Sequence, residues 1–214
     1  MDLDALRQEY ETTPLDIGDV APSPMPQIED WVARWLEVAP NEPTAVVLAT
    51  ADDSGRPTAR NVLLRGIDER GLTFFTGYES NKARDLAVNP QATVLFSWVP
   101  LLRQIHVVGR AERVTAAESD AYWMTRPRGS QVAAWASEQS SVVADRAALE
   151  AQAADVTARF DGLDIPRPEN WGGFLLTPET VELWQGRPNR LHDRLRYQHP
   201  HDQPDVWEIV RLSP

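Results

Sequence analysis

The sequence predicts a mainly β protein of the α+β type, built as a β-barrel or strongly bent sheet with peripheral helices. Apolar runs with the two-residue period of strands alternate with short polar turns, and no crossover helix separates the first three runs. Helical patterns fall between groups of strands. A length of 214 residues, with 42% hydrophobic and 25% charged residues, suits one folded domain.

The chain is expected to begin with an N-terminal arm or lid over residues 1–30, which is rich in proline and small residues. A single domain is expected over residues 31–214, because no repeat or break in composition divides it. Apolar residues at three- and four-residue spacing, among them Ile28 and Trp31, predict a first helix that ends at Pro40.

Strands dominate the prediction from residue 44 onward. Strand patterns cover residues 44–51, 58–67, 72–77, 92–99, 103–114, 172–177, 180–186, 190–197 and 206–212. Helical patterns cover residues 79–88, 116–124, 131–137 and 145–160. The turn sequences DDSG and DERG join the first three strands into an antiparallel meander. We expect five or six strands to pair, mostly through short hairpin turns.

The composition excludes several classes of protein and site. The chain has no cysteine, which excludes a disulfide-stapled scaffold, a thiol nucleophile and cysteine-ligated zinc or iron–sulfur sites. A formal net charge of −11 disfavours nucleic acid and anionic membranes as partners. The polar start of the chain and the lack of a long apolar run favour a cytoplasmic protein without a membrane span. His199, His201 and Asp202 share a loop with no further ligand group nearby, so we expect no metal site.

Cations are concentrated in four short segments of this acidic chain. The segments are RNVLLR (60–65), SNKAR (80–84), RPRGS (126–130) and RLHDRLR (190–196). Each one alone is more often a solvated face than a site. Ser80, Asn81 and Lys82, however, follow a predicted strand and open a helix, where free backbone N–H groups and the helix dipole receive phosphate. Arg60 and Arg65 are five residues apart and so lie on opposite faces of a regular strand, a spacing that favours two phosphate ligands.

Long segments of the chain resemble the pyridoxamine 5′-phosphate oxidases, in the order in which that family has them. They include LRQEY at residues 6–10, RNVLLR, FFTGYESNKARDL, RPRGSQVAAWASEQSS and WQGRPNRLHDRLRY. The resemblance runs nearly end to end and implies an FMN-binding split β-barrel that forms a homodimer, with two FMN sites built from both chains. It also implies that pyridoxamine or pyridoxine 5′-phosphate is oxidised to pyridoxal 5′-phosphate by O2, which releases H2O2, and ammonia from the amine.

The same resemblance implies roles for individual residues. The expected FMN contacts are Arg60, Val62, Leu63, Phe75, Thr76, Asn81, Lys82, Gln104, Gln139, Ser140, Trp184 and Arg194. The expected clamp on the substrate phosphate comprises Arg65, Tyr122, Arg126 and Ser130. The expected catalytic pair, which also contacts the substrate ring, is Arg190 with His192, and the expected lid contacts are Arg7 and Tyr10. Guanidinium groups suit a phosphate dianion because they bind it bidentately, while hydroxyl groups add donors without charge.

Three departures from the family pattern bear on affinity and substrate. Arg65 stands where the family usually has lysine, which preserves the cation. Asn81 stands where the family usually has arginine beside the flavin phosphate, and the loss of that charge predicts weaker FMN binding. The arm reads ETTPL after Tyr10, where the family tends to have glycines. Two other functions stay open. One is a related flavin oxidase of secondary metabolism that acts on a dihydroaromatic such as a dihydrophenazine carboxylate, and the other is a non-catalytic flavin or pyridoxal-phosphate binding protein.

Overall fold

A computed structural model describes residue 10, residues 12–39 and residues 41–214 of the chain. The strands in this part are β1 (Ala45–Ala51), β2 (Pro57–Asp68), β3 (Gly71–Gly77), β4 (Gln91–Trp98), β5 (Arg103–Arg113), β6 (Trp171–Gln185), β7 (Asp193–Gln198) and β8 (Glu208–Arg211). The helices are α1 (Pro24–Leu36), α2 (Asn81–Val88), α3 (Ala116–Thr125), α4 (Arg128–Ala136) and α5 (Arg146–Arg159). Within the described residues, no helix is both long and apolar enough to cross a membrane.

The strands form one antiparallel sheet that closes on itself. Its order is β3-β2-β1-β4-β5-β6-β7-β8, and because β3 also pairs with β6, the strands β1 to β6 make a closed barrel. β7 and β8 extend the sheet from β6 beyond the barrel. Alternate residues fill the interior, where Leu48, Phe74, Val94, Ile105 and Leu183 are fully buried. This barrel with peripheral helices confirms the predicted fold class.

Helix α1 packs its apolar face on the barrel. Pro24 occupies the first turn, where the N–H group that proline lacks has no partner within the helix. Trp35 stacks on Trp98 of β4, with 5.8 Å between the ring centroids. The domain boundary expected at residue 30 falls inside this helix, and Leu15 of the expected arm belongs to the same core. Apolar residues of the arm therefore pack with the barrel.

Strand β6 corrects the prediction of two separate strands over 172–177 and 180–186. It runs unbroken through Pro178, which lies opposite Gly109, where the register of β5 shifts. Such a bulge tolerates proline because it interrupts the ladder of hydrogen bonds. Glycine is required on the facing strand, since a Cβ atom at Gly109 would stand 2.1 Å from the Thr177 carbonyl oxygen.

The strand predicted over 190–197 begins three residues late, at Asp193. A short 3-10 turn, Pro188–Arg190, precedes it. Asn189 and Arg190 in this turn have φ values of 55° and 61°, the left-handed region of the backbone. Residues with these φ values do not fit the extended geometry of a strand, so β7 begins only after this turn.

Helices α3, α4 and α5 pack against the start of β6 around a second, smaller core. Its buried members are Trp123, Val132, Phe160, Ile165 and Trp171. The Trp123 indole N–H donates to the Ile165 carbonyl at 2.7 Å, which satisfies the buried polar end of that ring. We refer to these three helices as the helical layer.

Candidate active site

A groove of about 520 Å³ opens between the barrel and the helical layer. Its lining residues are Arg60, Asn61, Val62, Leu63, Arg65, Phe75, Thr76, Lys82, Tyr122, Arg126, Pro127, Ser130 and Gln139. Four of these residues are cations and none is Asp or Glu, although the chain has 32 acidic and only 21 basic residues. The groove therefore concentrates positive charge in an acidic protein and suits an anionic ligand.

The groove brings together most of the predicted site residues. The expected FMN contacts that line it are Arg60, Val62, Leu63, Phe75, Thr76, Lys82 and Gln139. The expected substrate clamp lines it completely, with Arg65, Tyr122, Arg126 and Ser130. Arg60 and Arg65, which the strand period assigned to different faces, border this one groove. The residues expected to contact FMN and those expected to bind the substrate phosphate are thus neighbours in the fold.

Lys82 is a buried cation with hydroxyl groups as its partners. Its residue is 7% exposed, and its Nζ donates to Thr76 Oγ1 at 3.0 Å and to Ser80 Oγ at 3.2 Å. Within the described part of the chain, no carboxylate forms an ion pair with Lys82. Burial and the nearby charge of Arg60 lower the pKa of Lys82 to about 8. An anionic group bound here would supply the missing counter-ion.

Arg60 is held between β1 and α2. Its guanidinium donates to the Leu48 carbonyl at 3.2 Å and to Thr50 Oγ1 at 2.8 Å, and it also contacts the Thr58 hydroxyl. Asp85 of α2 lies 3.8 Å from the guanidinium and accepts from Thr50 at 2.6 Å. Burial lowers the pKa of Arg60, and the charge of Asp85 opposes that shift. These contacts fix the direction in which Arg60 presents its charge to the groove.

An aromatic stack borders the groove, which two of its rings, Phe75 and Tyr122, line. The Phe75 ring stacks on Tyr122 with 4.0 Å between centroids and on Trp171 with 5.6 Å. The Arg126 guanidinium lies 4.4 Å from the Trp171 centroid and donates to the Ser130 carbonyl at 2.8 Å. Burial is the main reason that the pKa of Arg126 is lowered. Ring faces beside a fixed guanidinium suit a ligand that combines an aromatic ring with a phosphate.

The segment after α4 reaches the start of α2. Gln139 Oε1 accepts from Thr76 Oγ1 at 2.8 Å. Ser140, whose φ is 75°, accepts from the Asn81 N–H at 3.3 Å through its Oγ. The Asn81 side chain lies outside the groove lining and accepts from Arg84 at 2.5 Å. A phosphate contact by Asn81 or Ser140 therefore stays a prediction.

A second cluster of predicted site residues lies around the end of β6. The Trp184 ring is 4.7 Å from the His192 ring and 6.4 Å from the Tyr10 ring, measured between centroids. Trp184 is also the register partner of Gln104 on β5 and of Arg194 on β7. Three neighbouring strands, the loop before β7 and the arm thus gather five predicted residues that do not line the groove.

The loop before β7 fixes the His192 ring. Its Nδ1 accepts from the Arg187 backbone N–H at 3.1 Å. A neutral imidazole whose Nδ1 accepts carries its proton on Nε2, which is then a donor. Arg190 is exposed and holds the left-handed conformation, which costs roughly 1–3 kcal/mol in a residue other than glycine. Such stored strain is typical of functional sites.

The two groups of site residues lie at opposite ends of β6. Phe75 of the groove pairs with Gly173 near the start of that strand, and Trp184 of the second cluster stands near its end. Eleven positions separate Gly173 from Trp184, and the bulge beside Pro178 lies between them. Arg194 is engaged within its own protomer by Glu182, at 2.7 and 3.0 Å, and this pairing raises the pKa of Arg194. The predicted site residues of one protomer therefore fall into two separate groups, which we refer to as half-sites.

One predicted residue falls outside the structure, and three residues that support the site were not predicted. Arg7 lies outside the described residues. Trp171 and Asp85, which hold Arg126 and Arg60, were missed because their contacts join elements far apart in the chain. Asp193 was missed for the same reason: it accepts from the Leu15 N–H at 3.0 Å. The available signal for Trp171 was its place directly before Gly172 and Gly173, which pair with residues of the predicted site on β3.

The known proteins most informative for this chain belong to one family. The sequence model of the family described as pyridoxamine 5′-phosphate oxidase matches residues 32–160. A second family model, described as the pyridoxine 5′-phosphate oxidase C-terminal dimerisation region, matches residues 171–214. A curated pyridoxine/pyridoxamine 5′-phosphate oxidase from Burkholderia thailandensis is 50% identical over 209 residues, which are 98% of this chain and 97% of the relative.

Solved structures agree on the fold. The structure of PhzG from Burkholderia lata in complex with tetrahydrophenazine-1-carboxylic acid is 32% identical, with a TM-score of 0.87 over 97% of this chain and 100% of that one. A pyridoxamine 5′-phosphate oxidase-related, FMN-binding protein from Nostoc punctiforme shares the fold at 19% identity, with a TM-score of 0.70 over 91% of this chain and 100% of that one.

Proposed function

Because the chain belongs to the pyridoxamine 5′-phosphate oxidase family, we propose that it oxidises pyridoxamine or pyridoxine 5′-phosphate to pyridoxal 5′-phosphate. The cofactor in this proposal is FMN and the electron acceptor is O2, which leaves as H2O2; the amine substrate also releases ammonia. The observation that carries the proposal is the groove whose lining holds Arg60, Arg65, Lys82 and Arg126 and no acid. Two phosphates, one from the cofactor and one from the substrate, match these four cations.

Arg60 and Lys82 are proposed to hold the FMN phosphate. Lys82 fits this role because it is a buried cation with hydroxyl partners, and a bound phosphate restores the charge that burial disfavours. Arg60 fits because threonine and carbonyl contacts orient it before any ligand arrives. When bound, FMN supplies the acceptor for the hydride that leaves C4′ of the substrate.

Arg65, Tyr122, Arg126 and Ser130 are proposed to clamp the substrate phosphate. Arg126 is oriented by the Ser130 carbonyl and the Trp171 ring, so little side-chain freedom is lost on binding. The hydroxyl groups of Tyr122 and Ser130 add donors to the two guanidinium charges. The protein's task is to hold C4′ of the substrate against the cofactor and to shield that contact from water.

Arg190 and His192 are proposed to act in the groove of the partner subunit. The match of residues 171–214 to the family's dimerisation region supports a homodimer. Within one protomer these residues do not line the groove, and His192 contacts Trp184 near the end of β6, which supports assigning them to the groove of the partner. His192 then donates from Nε2 to polar groups of the substrate ring, and Arg190 helps to place that ring.

A second candidate is the oxidation of a dihydroaromatic carboxylate, such as a dihydrophenazine carboxylate. The similarity to PhzG in complex with tetrahydrophenazine-1-carboxylic acid favours it. Oxidation of pyridoxamine or pyridoxine 5′-phosphate is preferred because curated relatives named for it are 50% and 51% identical, against 32% for PhzG. Four cations in the groove also exceed what a flavin phosphate and one carboxylate require. A non-catalytic binding protein would not need to keep Arg190 and His192 as a pair.

One experiment separates these functions. The purified protein is examined for flavin absorbance and then assayed for H2O2 release with pyridoxamine phosphate, pyridoxine phosphate and a dihydrophenazine carboxylate. We expect bound FMN and peroxide release with the two phosphorylated vitamers. Peroxide release with the dihydrophenazine carboxylate alone would favour the second candidate. Bound flavin without any turnover would favour a binding protein.

A further inference from the structure

We propose that Trp171 is a positioning residue for the substrate-phosphate clamp, and that it acts through the guanidinium of Arg126. This inference rests on the proposed function, because it assigns a role within the same site. Trp171 is not among the residues that line the groove itself; it lines an adjoining cavity of about 330 Å³ that shares Phe75, Arg126 and Gln139 with the groove. Its indole contacts the guanidinium of Arg126.

Arg126 lacks the partners that usually hold a half-buried arginine. Its Nη2 donates to the Ser130 carbonyl at 2.8 Å, its Nε is buried without a partner, and no carboxylate of the described residues pairs with it. What surrounds the guanidinium instead are indole rings: the Trp171 centroid is 4.4 Å away and the Trp123 centroid is 5.4 Å away. The ring quadrupole of an indole attracts a cation placed over its face.

An indole holds a cation in a way that a carboxylate cannot. A carboxylate would neutralise the guanidinium and occupy the N–H edge that a phosphate needs. The indole carries no charge that would neutralise the guanidinium, so the charge of Arg126 and its Nη1, which has no hydrogen bond among the described residues, stay available. Trp171 can therefore fix Arg126 in the groove while leaving it free to bind the substrate anion.

Trp171 is itself held rigidly. It is 6% exposed, its ring stacks on Phe75, and it meets the Trp123 ring edge-on at 5.0 Å between centroids. Its carbonyl accepts from Arg167 Nη1 at 2.7 Å. A fixed ring allows the guanidinium one preferred position, so the geometry of the clamp is tied to the start of β6.

The test measures how strongly the FMN-loaded protein prefers pyridoxal 5′-phosphate to pyridoxal, as the ratio of their two dissociation constants. Pyridoxal lacks the phosphate and therefore reports any change in the rest of the site. Trp171→Leu should lower this preference by about 5- to 30-fold. Trp171→Phe, which keeps a ring with a weaker quadrupole, should lower it by only about two- to threefold. In an Arg126→Met background neither substitution should change the ratio further, because Trp171 acts through Arg126.

Trp135→Leu is the matched control. Trp135 packs on the same core and carries Arg159 at 5.0 Å over its ring, so its loss should lower the melting temperature and leave the ratio unchanged. If Trp171→Leu does not fold, Trp171→Phe with and without Arg126→Met decides the question. A wild-type ratio in the Trp171 variants, or an equal fall in the Arg126→Met background, would overturn the role of Trp171 alone. A wild-type protein with no preference for the phosphorylated ligand would overturn the proposed function as well.

Discussion

At the scale of single residues, the titration of Lys82 gives the clearest view of the cofactor half of the site. Burial lowers its pKa to about 8, so without a ligand it loses its charge as the pH rises through that value. A phosphate binds the protonated form better, which raises the pKa in the complex. The FMN dissociation constant should therefore be flat from about pH 7 to pH 8 and then rise about tenfold per pH unit.

Quenching of flavin fluorescence by the cofactor-free protein measures this profile. Lys82→Met should bind FMN more weakly and without the rise above pH 8, because the titrating group is gone. A wild-type profile that stays flat through the alkaline range would remove Lys82 from the phosphate site.

Asn81 carries the second prediction at this scale. Its side chain is exposed beside Arg84, one position before Lys82, where the family resemblance places an arginine. Asn81→Arg should tighten FMN binding by about 1 kcal/mol, or roughly fivefold, and the gain should shrink as salt screens the pair. Ala87→Arg adds the same charge at an exposed position near the other end of α2 and serves as the control. Equal affinities for Asn81→Arg and Ala87→Arg at low salt would show that residue 81 faces only solvent.

At the scale of elements, the sequence predicted the strands and helices that a local residue pattern marks. Turn chemistry and the two-residue period located β1 to β5, and helical spacing located α2 to α5 with small shifts at their ends. The division of β6 was wrong because Pro178 is tolerated only through the bulge against Gly109, a feature of the partner strand. The late start of β7 follows from the left-handed conformation of Asn189 and Arg190, which no local sequence pattern predicts.

The loop before β7 gives the prediction at this scale. Asp193 joins three elements: it accepts from the Leu15 N–H at 3.0 Å, pairs with Arg211 of β8 at 2.8 Å, and lies 3.4 Å from Arg187. Arg187 in turn donates its backbone N–H to the candidate catalytic His192. Asp193→Asn should destabilise the fold by about 1–3 kcal/mol and lower kcat, while the FMN dissociation constant stays near the wild-type value.

Thermal unfolding, steady-state kinetics and FMN titration check the three parts of this prediction. Asp52→Asn is the control, because Asp52 also accepts several hydrogen bonds, in the turn between β1 and β2. It should destabilise without changing kcat per folded, FMN-loaded protein. Equal kcat values for both variants would show that the loop does not depend on Asp193.

At the scale of the whole molecule, the site could be predicted only in part. The cationic segments marked Arg60, Lys82 and Arg126, and the family resemblance assigned their roles; the fold then brings them to one groove. Residue spacing in the sequence could not predict that this groove is separate from Trp184 and His192, because the separation depends on the length and path of β6. We propose that the association of two chains, rather than any local pattern, unites the half-sites.

The composite site is the central claim, and a mixed dimer tests it most directly. Arg126→Ala alone should lower kcat/KM by about 10- to 100-fold, since a charge-assisted contact to the substrate phosphate is lost, and a His192→Ala homodimer should also be impaired. A heterodimer of one Arg126→Ala subunit and one His192→Ala subunit, purified with two different tags, places both substitutions in one composite site and leaves the other intact. We expect about half of the wild-type activity for this heterodimer. Activity no higher than that of the two homodimeric variants would show that the groove and His192 act within one protomer, and would contradict the composite site.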